Sequence, residues 1–234
     1  MRALAAETIA PAGEERAFFQ RVFAWMAVGL AVTGGIAGGI GSSGTALHAL
    51  FGSKGQIVII VALILEFVLV IVLVGLVKHM SVFEAAATFL GYAALNGLTL
   101  SLLFAVYTTK SIFSTFLVTA AMFAAIAVWG YVTKRDLTGW GNFLLMALIG
   151  QVIGVFVNLL WLNETLYWVT TASGVLLFSA LTAYDVQKLK QYEPPPGSGA
   201  EVVQKEAIVG ALALYLDFVN LFLYLLRIFG QAKR

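Results

Sequence analysis

Apolar residues run in long blocks along this chain, and the charged residues between the blocks are few and clustered. A charge at the centre of a bilayer costs roughly 2.5 to 3.5 kcal/mol on insertion scales, so the nearly uncharged blocks are expected to be membrane spans. Because a helical span takes about 20 apolar residues, the pattern predicts seven transmembrane helices. Their expected limits are about 22–41, 56–77, 85–107, 111–132, 142–162, 165–185 and 207–228.

The predicted organisation is one membrane domain in an all-α integral membrane protein, from residue 18 to residue 230. An amino-terminal arm, residues 1–17, precedes this domain, and a short tail, residues 231–234, follows it. Before the last span, the run Pro194-Pro195-Pro196-Gly197-Ser198-Gly199 predicts a tether that is stiff and then flexible.

The amino-acid composition is typical of an integral membrane protein. Its 234 residues are 61% hydrophobic and 11% charged, whereas soluble domains have about 45 to 50% and about 25%. The mean hydropathy is +0.94. A net charge of +2 gives no basic surface for nucleic acid, and the absence of cysteine excludes disulfides, thiolate metal sites and a thiol nucleophile.

The distribution of Lys and Arg predicts the orientation. With the amino terminus in the cytoplasm, the cytoplasmic side carries nine of these residues and the other side carries five. This excess predicts a cytoplasmic amino terminus, because cytoplasmic loops are the basic ones. Three of the five, Arg227, Lys233 and Arg234, lie at the carboxyl end. They leave open that the last segment is re-entrant or spans only half of the membrane.

Small and polar residues recur at helical spacing in two spans. Gly34, Gly35, Gly38 and Gly39 in span one, and Gly150 with Gly154 in span five, are expected to let neighbouring helices approach closely. Gln151 and Asn158 share a face of span five with Gly154, at i, i+7 and i+3. That face indicates either hydrogen bonds between helices or the lining of a polar pathway.

Motifs for catalysis are absent from the sequence. His48 and His79 lie apart, without an HExxH pattern, and no G-x-S-x-G occurs, so we do not expect an enzyme. An EF-hand loop is also absent. No cofactor is therefore predicted, and any calcium site has to be a weak one.

Acidic residues inside the spans are the strongest functional signal, because they are costly to keep in lipid. Asp185 ends span six, and Asp217 lies near the middle of span seven on one face with Asn220 and Tyr224. Two carboxylates brought together at low dielectric do not both ionise cheaply, so they would share a proton and sense pH. The alternative is that each acid simply hydrogen-bonds a neighbouring helix.

Glu66 is the third acid inside a span. Three interpretations remain open: a further member of the aspartate site, a partner for Lys78, or a protonated packing residue.

Two segments resemble the Bax inhibitor-1 family, whose members are also called transmembrane BAX inhibitor motif proteins. Ala183-Tyr184-Asp185-Val186-Gln187 is similar to the end of that family's sixth helix. The stretch from Leu214 to Leu226 is similar to its seventh helix, and Asn96-Gly97-Leu98-Thr99-Leu100-Ser101 adds support.

The resemblance implies a seven-helix bundle whose last helix is surrounded by the others. It also implies a proton-sensitive calcium leak in which Asp185 and Asp217 share a proton, form the gate and bind calcium weakly. Related bacterial proteins hold the pore shut with an arginine near the end of the second helix. Lys78 is the stand-in for that arginine here, although lysine lacks its bidentate fork.

The sequence therefore predicts a pH-gated calcium leak channel in the bacterial inner membrane, with Asn220, Tyr224, Gln151 and Asn158 as candidate pathway lining. The expected partners are the bilayer, calcium ions and protons. The alternative is a non-conducting regulator that binds other membrane proteins, such as a protease or cell-death machinery.

Overall fold

The computed structural model describes residues 12–193 and 198–233. These two ranges contain helices and no β-strand. The helices are α1 (Ala12–Ser42), α2 (Gly44–Phe51), α3 (Ser53–Leu76), α4 (Val82–Leu100), α5 (Leu103–Val106), α6 (Thr109–Val132), α7 (Gly141–Trp161), α8 (Glu164–Lys190) and α9 (Ala200–Phe229).

Seven of the helical stretches in the described chain are long and apolar enough to cross a membrane. The predicted all-α protein with seven transmembrane helices is thereby confirmed. The third span combines α4 and α5, because the helix breaks at Ser101, and the short α2 links α1 to α3 at the same end of the bundle. α1 begins at Ala12, so the second half of the predicted arm is already helical, while residues 1–11 lie outside the described ranges.

Local sequence explains where several helices begin and end. Ser81 and Glu84 form a capping box at the start of α4. The side chains of Thr108 and Asn163 cap α6 and α8 by accepting hydrogen bonds from backbone amides. α7 ends at Trp161, and the next residue, Leu162, has a left-handed φ of 46° that lets the chain reverse directly into α8.

α9 occupies the middle of the bundle and packs against α1, α4, α6 and α8. In its most apolar window 72% of the residues are buried, against 11% to 39% in the other six spans. This confirms that the last helix is surrounded by the others. A polar side chain on α9 therefore lies inside the bundle, where it needs a partner.

α9 is long enough to cross a membrane completely. Its 30 residues span about 45 Å, more than the hydrocarbon core of about 30 Å. Beyond it, the Thr108 amide donates to the Gln231 carbonyl at 3.0 Å and the Lys233 amide donates to the Val106 carbonyl at 2.9 Å. The tail thus lies at the end of the bundle where α1 finishes, which favours a complete crossing over a re-entrant segment.

Close approach of helices depends on glycines other than those singled out in the sequence. A Cβ on Gly97 would lie 2.8 Å from the Thr33 carbonyl oxygen, and one on Gly130 would lie 2.6 Å from that of Ala183. By contrast, a Cβ on Gly34, Gly35, Gly38, Gly39 or Gly150 would meet nothing within 4 Å. The prediction that these five glycines pack against another helix of this chain is wrong, because no atom of a neighbouring helix lies that close to them. A Cβ on Gly154, by contrast, would lie 3.1 Å from the Thr170 side chain.

Candidate functional site

α8 and α9 pack together, and Asp185 and Asp217 line one cavity between them. Asp185 and Asp217 lie within hydrogen-bonding reach of each other. Asp217 is buried, and Asp185 is partly exposed, one turn before Lys188. An ionised carboxylate has no donor, so this pair can hydrogen-bond only when one member carries a proton.

The Asp217 carboxyl group is also short of partners. Its Oδ2 is buried, and no hydrogen-bond donor in the described ranges reaches it. A buried carboxylate oxygen in such a place needs a proton or a cation as its partner. This unpartnered oxygen distinguishes Asp217 from the other buried polar groups of the bundle described below.

A cavity of about 510 Å³ lies beside the pair, between α7, α8 and α9. Along α9 it extends from Ala213 to Arg227, which is about 21 Å at the rise of an α-helix. α7 forms its outer wall and packs mainly against α8. The polar groups that line the cavity are Gln151, Asp185, Asp217, Asn220, Tyr224 and Arg227.

Gln151 connects all three walls of this cavity. Its Nε2 donates to the Thr170 carbonyl at 2.6 Å and to the Tyr224 hydroxyl at 2.8 Å. Its Oε1 accepts a hydrogen bond from the Ser173 hydroxyl at 2.9 Å. The two interpretations of this residue are therefore compatible, since Gln151 both bonds between helices and lines the cavity.

Asn158 lies away from the cavity, unlike the other three residues expected to line a pathway. Its Oδ1 accepts a hydrogen bond from the Asn163 amide at 3.0 Å. This contact closes the turn between α7 and α8. Gln151 and Asn158 share a face of α7, but they have different roles. Gln151 forms hydrogen bonds inside the bundle, whereas Asn158 stabilises the turn between α7 and α8.

Arg227 was not predicted as a site residue, because in the sequence it belongs to the group of basic residues at the carboxyl end. Its guanidinium carbon lies 5.0 Å from the ring centre of Tyr224 and 5.6 Å from that of Tyr167. The signal was available, since residues 217, 220, 224 and 227 continue one face of α9. The cavity therefore has two carboxyl groups toward one end and a cation at the other.

Glu66 belongs to a separate cluster of polar residues on the opposite side of α9, which we call the Glu66 cluster: Glu66, Asn96, Thr99, Tyr215 and Thr33. Glu66 accepts hydrogen bonds from Asn96 Nδ2 at 3.3 Å and from the Thr99 hydroxyl at 2.9 Å. The Tyr215 hydroxyl donates to Asn96 Oδ1 at 3.0 Å and lies 2.6 Å from Thr33 Oγ1. Both carboxylate oxygens of Glu66 thus have donors.

Lys78 lies in a 3-10 turn after α3, and its side chain is exposed. In the described ranges Lys205 forms an ion pair with Glu201, at 3.5 Å, and Lys78 forms none. Lys205 also donates to the Met80 carbonyl at 2.9 Å and so fastens this turn to α9. Lys188 is therefore the lysine beside Asp185.

Gln187, two residues after Asp185, is a second residue whose role the sequence did not reveal. Its Oε1 accepts from the Leu137 amide at 2.7 Å and its Nε2 donates to the Arg135 carbonyl at 2.8 Å. It thereby fastens the loop between α6 and α7 to α8. In that loop, hydrogen bonds from the side chain and backbone of Thr138 lower the pKa of Asp136, so this acid stays ionised.

The described side chains offer limited metal-binding capacity. No group of three His, Cys, Asp or Glu residues in the described ranges could hold a metal ion. The aspartate pair with nearby amide and hydroxyl oxygens matches the oxygen ligands that calcium prefers, but it supplies only two carboxylates.

Comparison with known proteins covers almost the whole chain. Residues 15–234 match the family model described as the inhibitor of apoptosis-promoting Bax1. The inner membrane protein YbhL of Escherichia coli is 44% identical over 226 residues, which are 96% of each chain. Uncharacterized proteins of Borreliella burgdorferi and Deinococcus radiodurans are 37% and 39% identical, over 92% and 91% of this chain. The range of the family match, residues 15–234, contains the positions of the seven membrane-length helical stretches and of Asp185 and Asp217.

Proposed function

Because this chain belongs to the Bax inhibitor-1 family of membrane proteins, we propose that it is a calcium leak channel gated by a proton that Asp185 and Asp217 share. The observation that carries the proposal is the buried, unpartnered Oδ2 of Asp217 at the wall of an elongated cavity. A proton or a calcium ion can satisfy that oxygen, and each excludes the other. Competition between them makes the flux depend on pH.

The cavity supports the idea of an ion path through the α7 side of the bundle. Gln151, Asn220 and Tyr224 place amide and hydroxyl groups along it, between the aspartates and Arg227. Calcium binds oxygen ligands, and few carboxylates give weak binding, which lets an ion leave again. Calcium is in this proposal a permeating ion and not a resident cofactor.

Charged groups around the pair set its response. Lys188 lies one turn beyond Asp185 on α8, and Arg227 lies about 15 Å along α9 from Asp217. Among the α7 residues that line the cavity, Gln151 is polar and none is charged. The two aspartates are therefore the acidic groups of this cavity, and we assign the pH response to them.

Calcium efflux from liposomes tests the proposal. Vesicles that contain the purified protein and a calcium-sensitive dye should leak faster than protein-free vesicles, and their rate should change across roughly pH 6 to 8. Asp136→Asn is the matched control, because this loop acid lies outside the cavity and should leave the pH profile unchanged. If protein-containing and protein-free vesicles leak equally at every pH, the chain is not a channel. That result would favour the alternative, a non-conducting regulator that binds other membrane proteins.

We further propose that the amino terminus is cytoplasmic and that α8 begins on the other side of the membrane. The chain has no cysteine, so single cysteines at Glu164 and Ala200 can be labelled without background. In intact cells an impermeant thiol reagent should label position 164 and spare position 200. The reverse pattern would contradict the proposed orientation.

A further inference from the structure

A second and larger cavity lies on another side of the bundle and plays no part in the proposed ion path. It is a groove of about 730 Å³ between α1, α5, α6 and α9. Its lining is almost wholly apolar, with Phe104, Phe113 and Phe116 on one side. Gly34, Gly35 and Gly38 of α1 lie on another side, where an added Cβ would meet nothing within 4 Å.

The shape and lining of the groove suit a hydrocarbon chain. Along α1 the groove extends from Ala27 to Ser42, about 22 Å at 1.5 Å per residue. Its lining over that length is almost wholly apolar, so an extended acyl chain can lie in it without leaving a polar group unpaired.

A cation is fixed at one end of the groove. The Lys233 ammonium donates to the carbonyl of Phe104, a lining residue, at 2.6 Å, and the Lys233 amide donates to the Val106 carbonyl at 2.9 Å. An ammonium has three donors, so this contact leaves two for another acceptor. The exposed Lys110 follows Thr109, which also lines the groove.

The charge at this end of the bundle suits an anionic lipid. The described side chains there include four basic residues, Lys54, Lys110, Arg227 and Lys233, and one acid, Glu164. Each Lys or Arg near an anionic membrane surface contributes about 1 kcal/mol of attraction. A phosphate near Lys233 would leave its acyl chain level with the glycines of α1.

We propose that this groove binds one anionic phospholipid, with an acyl chain along Gly34, Gly35 and Gly38 and the phosphate at Lys233. These three glycines would then contact the acyl chain of the lipid and would not form a contact between helices. Binding would fill the space between α1 and α6 and so hold these helices against α9. The inference does not depend on calcium conduction.

Native mass spectrometry of the purified protein, titrated with phosphatidylglycerol or phosphatidylcholine, tests the site. We expect about fivefold tighter binding of phosphatidylglycerol by the wild type. Gly38→Leu should abolish tight binding, because its side chain would fill the groove. Ala31→Leu should have the same effect and replaces Gly38→Leu if that variant does not fold. Gly150→Leu is the matched control, because Gly150 also has open space but lies on α7, outside the groove.

Lys233→Gln separates the two halves of the proposal. This variant should still bind one lipid but lose the preference for phosphatidylglycerol. Equal binding of both lipids by the wild type would overturn the headgroup assignment, and unchanged binding by both groove-filling variants would overturn the site. If Gly38→Leu instead converts a dimer into a monomer, the glycines form a helix interface and the proposal is wrong.

Discussion

Two groups of buried polar residues lie on opposite sides of α9, and they differ in how well their hydrogen bonds are satisfied. In the Glu66 cluster, both carboxylate oxygens accept hydrogen bonds from side chains of α4. At the aspartate site, Asp217 Oδ2 has no donor in the described ranges, and a cavity lies beside it. A fully bonded acid stabilises a fold, whereas an unpartnered acid beside a cavity is suited to exchange protons or ions.

The largest expected difference is in the pH response. Asp217→Asn removes one carboxylate of the pair, so we expect calcium efflux that no longer changes across roughly pH 6 to 8. Glu66→Gln keeps its side-chain oxygen as an acceptor on the other side of α9 and should leave the pH profile in place. Efflux from liposomes measures both. A flat profile for Glu66→Gln with a normal one for Asp217→Asn would reverse our assignment of the two sites.

The free energy of unfolding should show the opposite order. Glu66→Leu leaves Asn96 Nδ2 without its acceptor, while the Thr99 hydroxyl keeps the Asn96 carbonyl, and the change should cost about 1 to 3 kcal/mol. Asp217→Leu removes the contact with Asp185 but also a buried oxygen that has no donor, and the cavity beside it leaves room for the larger side chain, so the loss of stability should be smaller. Thermal unfolding in detergent compares this matched pair. Equal losses would show that both acids are structural.

Arg227 places a positive charge at one end of the aspartate cavity. Its positive charge at the far end should oppose entry of calcium, and Arg227→Gln should therefore raise calcium efflux several-fold, as about 1 kcal/mol of repulsion corresponds to roughly fivefold. Efflux of a neutral solute should not increase. An equal rise in both fluxes would mean that loss of its contacts with Tyr224 and Tyr167 had loosened the bundle.

The smallest expected effect separates two lysines. Lys188, one turn from Asp185, should shift the pH midpoint of efflux by roughly 0.3 unit when changed to alanine, because an exposed charge is well screened. Lys78 is exposed and forms no ion pair within the described part of the chain, so Lys78→Ala should shift the midpoint less. A higher basal leak in Lys78→Ala than in Lys188→Ala would restore Lys78 as the latch.

The sequence alone was sufficient for the architecture, because spacing of charges directly reflects the cost of placing them in lipid. It also identified five of the polar residues that line the aspartate cavity, since Asp217, Asn220 and Tyr224 repeat at helical spacing. It could not identify which helix faces meet. The open space beside the glycines of α1 and the separation of Glu66 from the aspartates both depend on how α1 and α3 are rotated, and apolar residues surround these helices on all sides.

Arg227 and Gln187 illustrate a second limit. Both are ordinary polar residues near helix ends, where the sequence predicts contact with water or headgroups. Only the packed bundle shows that Arg227 lies over two tyrosine rings and that Gln187 binds the backbone of the loop between α6 and α7. Their roles depend on partners distant in sequence, which periodicity within one helix does not reveal.

The most direct test of the shared proton is calcium efflux against pH for the wild type, Asp185→Asn, Asp217→Asn and the double variant. If the two carboxyl groups titrate as one unit, each single variant should lose the whole transition and the double variant should match either of them. If each single variant loses half of the transition, or keeps the wild-type midpoint, the aspartates act independently and the account of the gate is wrong.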